Sequence, residues 1–142
     1  MGDIRKASDV DVGMTLPGRT VHIDRAKLVQ YAGASLDLNP IHWDEHFATA
    51  VGLPDVIAHG MLTMGCAVTV ATEWAGDAGR VKEYSVRFTK PVVVPHEGGT
   101  DVVVSGVVKG LDTETGLVTV ELSATCGTDR VLGRARAVVQ LD

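Results

Sequence analysis

The sequence predicts an α+β fold in which a long antiparallel sheet wraps around one apolar helix. Three observations carry this. The second half alternates apolar and polar side chains with period two. A central stretch from Gly60 to Trp74 holds no charge until Glu73. Helix punctuation is confined to the first half. Alternation marks strands with one buried face, and a helix that is apolar or small on every side marks a buried one.

The elements follow in order. An extended stretch near Thr20–Ile23 precedes Asp24, an N-cap for a helix through Leu28, Val29 and Ala32, with Gly33 as its stop. Asp44 caps a second short helix over Phe47, Ala48 and Val51, ended by Gly52. The third helix starts at Gly60. Tyr84, Val86 and Phe88 then face one way and Ser85, Arg87 and Thr89 the other. Asp112–Gly116 is a hairpin connection between a strand around Val102–Val108 and one around Val118–Ala124. Val118, Val120, Leu122, Ala124 and Cys126 share one face, as do Ala135, Ala137, Val139 and Leu141. One sheet around one helix is the hot-dog architecture. It leaves edge strands to be covered, which predicts a dimer with a continuous sheet.

Composition narrows the function. The 142 residues make one domain spanning 1–142, and 45 % are apolar, enough for a core. The net charge is −5 with no basic cluster, which argues against nucleic acid. No stretch approaches the ~20 apolar residues of a membrane span. The start, Met1 to Lys6, is polar with no apolar segment behind it, so a cytoplasmic location is expected. Cys66 and Cys126 read as buried free thiols. His22, His46 and His96 are scattered surface residues without metal-ligand spacing, so no metal is expected.

The chemistry concentrates in Asp37-Leu-Asn-Pro-Ile-His42 and in His59-Gly60-Met61. Pro40 fixes its own φ and keeps Asn39 out of helical geometry, so carboxylate and imidazole sit on a defined turn. A carboxylate and a histidine converging on one point activate water or move a proton. A glycine opening a helix presents a free N–H at the positive end of the helix dipole. Asp44 reads as a cap, His59 as a residue ordering the helix start, and Trp43 and Trp74 as packing anchors.

Tyr31-Ala-Gly33, Asp37-Leu-Asn-Pro-Ile-His-Trp-Asp44 and Ile57-Ala-His-Gly-Met-Leu-Thr63 together resemble the signature of the (R)-specific enoyl hydratases of the MaoC-like family. With Glu83-Tyr-Ser-Val-Arg-Phe-Thr89 added, the likeness extends to catalytic subunits of the mycobacterial-type (3R)-hydroxyacyl-ACP dehydratases. The resemblance implies a hot-dog fold and reversible dehydration of (3R)-hydroxyacyl thioesters, carried by acyl-carrier protein or coenzyme A, in fatty-acid elongation. It implies Asp37 and His42 as the catalytic pair, the Gly60 backbone N–H as oxyanion donor and Asn39 in a supporting role. No cofactor is required. A homodimer, or a heterodimer with a second hot-dog subunit, is implied as the assembly. Two alternatives share the fold: an acyl thioesterase and a non-catalytic partner subunit.

The sequence departs from the family twice. Leu36 stands where a glycine usually precedes the aspartate, placing a side chain beside the turn or the acyl channel. Val68 stands where some relatives carry a serine, with Thr63 and Thr69 nearby. Arg80, Lys82 and Arg87 are the local cations available to an acidic carrier.

Overall fold

The computed structural model describes residues 3–142; Met1 and Gly2, and with them the start of the polar N-terminal stretch, lie outside it. Strand β1 (Thr15–Ile23) leads to α1 (Arg25–Ser35), α2 (Glu45–Ala50) and α3 (Gly60–Ala75), and then to β2 (Val81–Phe88), β3 (Thr100–Asp112), β4 (Leu117–Cys126) and β5 (Asp129–Gln140). The strands form one antiparallel sheet in the order β1-β3-β4-β5-β2, with β1 and β2 at its edges.

The sheet curls round α3, which packs against all five strands. Ala67, Val70, Ala71, Trp74 and Ala75 of α3 meet the inward residues of β3, β4 and β5, among them Val102, Val104, Val118, Val120, Leu122, Ala137 and Val139. This is the hot-dog arrangement the alternation predicts. The helix is not buried on every side, however: Met61 and Gly65 face solvent. A single five-stranded sheet encloses only one side of a helix.

The local signals act where the chemistry demands. The Asp24 carboxylate accepts from Lys27 N–H at 2.8 Å and the Asp44 carboxylate from Phe47 N–H at 3.1 Å, each satisfying a donor of the first helical turn. Gly76 ends α3 at φ 85°. Asp112 Oδ1 accepts from Glu114 and Thr115 N–H, folding the hairpin that Gly116 closes at φ 74°. A second tight turn, through Gly127, joins β4 to β5.

Several expectations need correction. α1 runs past Gly33 to Ser35, because the left-handed cap is Leu36, at φ 61° and ψ 17°. β1 begins at Thr15, five residues before its apolar signal, because the Pro17–Gly18 irregularity interrupts its pairing with β3. Phe88 is exposed; a register shift between Ser85 and Arg87 breaks the alternation before it. Cys66 and Cys126 are free but half-buried. Trp74 is a core anchor with the Arg5 guanidinium 5.0 Å from its ring centroid, whereas Trp43 is half exposed. Tyr84 donates to the Met64 carbonyl at 2.8 Å, and burial pushes its hydroxyl up to about 12. Among the described residues, no helix is long and apolar enough to cross a membrane.

Candidate active site

The segment between α1 and α2 crosses the N-terminal end of α3 and carries the site. Its shape follows from side chains bonding to nearby backbone. Asp37 Oδ1 accepts from Asn39 N–H at 3.2 Å, and Asn39 Oδ1 accepts from Ile41 N–H at 3.2 Å. Asn39 thus caps the 3₁₀ turn Pro40–His42, with Pro40 at its first position. The Trp43 indole N–H donates to the Leu38 carbonyl at 3.1 Å, latching the far side of the turn.

His42 is buried at 6 % exposure. Its Nδ1–H donates to the Ile57 carbonyl at 2.7 Å. Because a carbonyl only accepts, this bond fixes the neutral tautomer and leaves the lone pair on Nε2. That Nε2 lies 3.9 Å from Asp37 Oδ2, whose side chain is half exposed at the rim. The gap is too long for a direct hydrogen bond, but it lets both atoms bond to one oxygen placed beside them. The carboxylate and imidazole that the spacing brought to notice therefore converge on one point.

His59 lies closer to the dyad than its sequence position implied. Its ring stacks on His42, with centroids 3.8 Å apart and planes at 23°. Its Nε2–H donates to the Asp37 carbonyl at 3.2 Å. The side chain makes no cap on α3, so it orders the dyad turn rather than the helix start. Burial pulls its pKa below the ordinary imidazole range; neighbouring His42 adds to this, while the bond to the Asp37 carbonyl and the Asp37 charge oppose it. Asp37, His42 and His59 each offer a ligand atom within 4.8 Å of the others. Two nearly parallel stacked rings cannot both aim in-plane lone pairs at one ion, and His59 Nε2 is already a donor, so the set does not suit a metal.

Gly60 opens α3, and no side chain caps its free N–H groups. A Cβ here would lie 3.1–3.3 Å from the Phe88 ring, so the position is tight against that side chain. Gly60 and His42 line one cleft of about 370 Å³. Its walls are otherwise mainly apolar, including Ile57, Phe88, Val92, Val131 and Leu132. Thr63 lines the cleft too and is buried, whereas the Thr69 hydroxyl donates to the Cys66 carbonyl at 2.6 Å, away from the cleft. Lys90, at the cleft and ion-paired to Asp129 at 3.0 Å, carries no motif that could have flagged it.

Leu36 is 79 % exposed and outside the cleft lining. Of the two effects expected of Leu36, on the turn or on the channel, the one seen is on the turn. The departure is one of backbone: the position requires positive φ, which glycine adopts freely and leucine does not. Of the cations considered for a carrier, Arg80 is taken by the Asp142 carboxylate at 2.9 and 3.0 Å, and Lys82 bonds the Gly79 carbonyl at 3.4 Å. Arg87 is exposed. His22 pairs with Asp101 at 2.7 Å, and His46 and His96 are exposed.

The family model described as a MaoC-like domain matches residues 9–126. The chain belongs to the MaoC-like family. It is 37 % identical over 103 residues to 3-hydroxyacyl-thioester dehydratase X of Mycobacterium tuberculosis, an alignment covering 66 % of this chain and 36 % of that protein. Over 139 residues it is 27 % identical to the (R)-specific enoyl-CoA hydratase of Rhodospirillum rubrum, covering 96 % and 89 % of the two. A solved structure titled MaoC-like dehydratase superposes with a TM-score of 0.95 at 41 % identity, over 98 % of this chain and 43 % of that one. The chain thus spans about a third of the length of the first relative and less than half of the structural neighbour. The hot-dog fold stands on the superposition as well as on the sheet topology.

Proposed function

We propose that this chain is a hydro-lyase acting on (3R)-hydroxyacyl thioesters, removing water to give the 2-enoyl thioester or adding it in reverse, within fatty-acid elongation. One observation carries the reading. The Nε2 lone pair of His42 and the Asp37 carboxylate are spaced to share one oxygen, beside an apolar cleft lined by the helix-opening Gly60.

In dehydration, His42 Nε2 takes the C2 proton. The electron pair of that bond moves onto the thioester as an enolate, whose oxygen the Gly60 N–H receives at the positive end of α3. Collapse of the enolate forms the C2–C3 double bond and breaks C3–O. The hydroxyl departs between His42 and Asp37 with a proton from the pair, so one water forms and the pair is restored. Hydration runs the same steps backward. Asn39 supports the chemistry by holding the turn. The apolar walls formed by Ile57, Val131 and Leu132 suit an acyl chain.

The unit acts on acyl-ACP or acyl-CoA, as one hot-dog domain of a pair. The uncovered edges β1 and β2, the exposed Met61 and Phe88, and the greater length of the first relative support a second hot-dog unit, in a homodimer or a heterodimer.

The test is loss of enoyl absorbance from 2-enoyl thioesters of graded chain length. It is run on this chain alone and with a co-expressed hot-dog partner, while free thiol is followed in parallel. Hydration without thiol release is the expected result. Thiol release from saturated acyl-CoA without hydration would make the chain a thioesterase. Acyl binding with no turnover in either setting would make it a non-catalytic subunit.

A further inference from the structure

We infer that His59 is a positioning residue for the dyad: its Nε2–H pins the backbone of Asp37 while its ring lies flat against His42. The inference rests on the hydro-lyase reading for its kinetic consequence and on geometry for the rest. His59 is 1 % exposed and sits between two aromatic neighbours, stacked on His42 and edge-on to Tyr31 at 4.7 Å and 62°. Its Nε2–H donates to the Asp37 carbonyl, so one bond ties the start of α3 to the residue that bears the carboxylate. Its Nδ1 is buried with no hydrogen-bond partner among the described residues.

That orphan atom decides the charge state. An unpartnered lone pair in a dry site is tolerable, but an unpartnered N–H on a cation is far less so. The groups facing the ring are His42, the Asp37 carboxylate and carbonyl, and Tyr31. Asp37 favours a positive ring, whereas His42 and burial oppose it, and the balance lies on the neutral side. His59 therefore takes up its proton at lower pH than an ordinary histidine does. This matters because His42 becomes a cation whenever it takes the C2 proton. Two stacked imidazolium rings would repel, whereas a neutral aromatic face accommodates positive charge. His59 thus lets the stack hold one charge, and lets that charge sit on His42.

Two variants and one spectroscopic measurement test this. His59→Leu removes both the donor and the ring; kcat for enoyl-thioester hydration should fall about a hundredfold, the scale of a small misplacement at the reacting centre, with KM little changed. His59→Gln keeps an amide N–H that can reach the Asp37 carbonyl and should recover part of that loss. Nitrogen-15 NMR of the unmodified chain should show His59 neutral and Nε2-protonated at pH 6.5, where an unperturbed imidazole is half charged. Unchanged kcat in His59→Leu, or a His59 ring that is cationic or Nδ1-protonated at that pH, would overturn the inference. If the unmodified chain hydrates nothing either alone or with a co-expressed hot-dog partner, it is the hydro-lyase reading that fails. The NMR signature still decides the geometry, including when His59→Leu does not fold.

Discussion

Val102, Val104, Val118 and Val120 are sealed completely between sheet and helix, while Val103, Ser105, Thr119 and Glu121, which alternate with them, face away from the core. The turn that carries the dyad does the reverse. His42 and His59 are buried, and Leu36, Leu38 and Trp43 stand in solvent. The sheet gains from every apolar side chain it removes from water, and many residues contribute to the same end. The turn places His59 where desolvation disfavours its charged form and leaves apolar surface uncovered. Its shape is held by single hydrogen bonds donated by His42, His59 and Trp43 and one accepted by the Asn39 side chain. Local rules of burial are broken in the region where the proposed chemistry occurs, as expected where function and stability compete.

This contrast can be broken most sharply at the dyad. Asp37→Asn and His42→Gln should each lower enoyl-thioester hydration by about 10²–10⁴-fold, the usual contribution of a general acid or base, with circular dichroism unchanged. Full activity in both would sink the assignment. Leu122→Ala tests the other region. It should cost about 2–5 kcal/mol of stability by urea titration, while activity per folded molecule stays close to the parent value. Gly60→Ala lies where the regions meet. The added Cβ presses on the Phe88 ring and should lower activity about tenfold or more, and Phe88→Leu should relieve part of that loss.

Acid sharpens the comparison further. The folded pKa of His59 is depressed, so its contribution to stability is present above the unfolded value of about 6.5 and is lost as pH falls from there through the folded value. Over that window the unfolded chain binds more protons than the folded one. Urea midpoints between pH 7.5 and 5.5 should fall, and fall less in His59→Gln. The smallest effect belongs to Leu36→Gly. Relief of a left-handed leucine, about 1–2 kcal/mol, outweighs the entropy of an added glycine, about 0.4–1 kcal/mol. A small gain in melting temperature with unaltered kcat is expected.

Sheet and site were legible to different depths. The inner strands could be read directly, because burial alternates without interruption from Val118 to Ala124 in β4 and from Ala135 to Val139 in β5. β1 was half hidden by Pro17 and Gly18, and the end of α1 by a leucine doing a glycine's work, which no propensity reveals. Asp37, Asn39, His42 and Gly60 were visible because turn chemistry and a helix start impose residue types at fixed spacing. The stacking of His59 on His42, the pressure of Phe88 on Gly60 and the placing of Lys90 at the cleft arise from tertiary contact between separate elements. Nothing in local sequence encodes them.

The few bonds that hold the dyad turn also bear on the order of events during folding. Each joins this segment to itself or to the residues Ile57–Gly60, not to the β3–β4–β5 ladder. The segment can detach while the ladder stays closed, which makes it a low-energy opening unit in amide exchange. The dyad then assembles late and comes apart first. Substitutions within the turn act mainly on the unfolding rate, and activity fades on warming before the sheet melts.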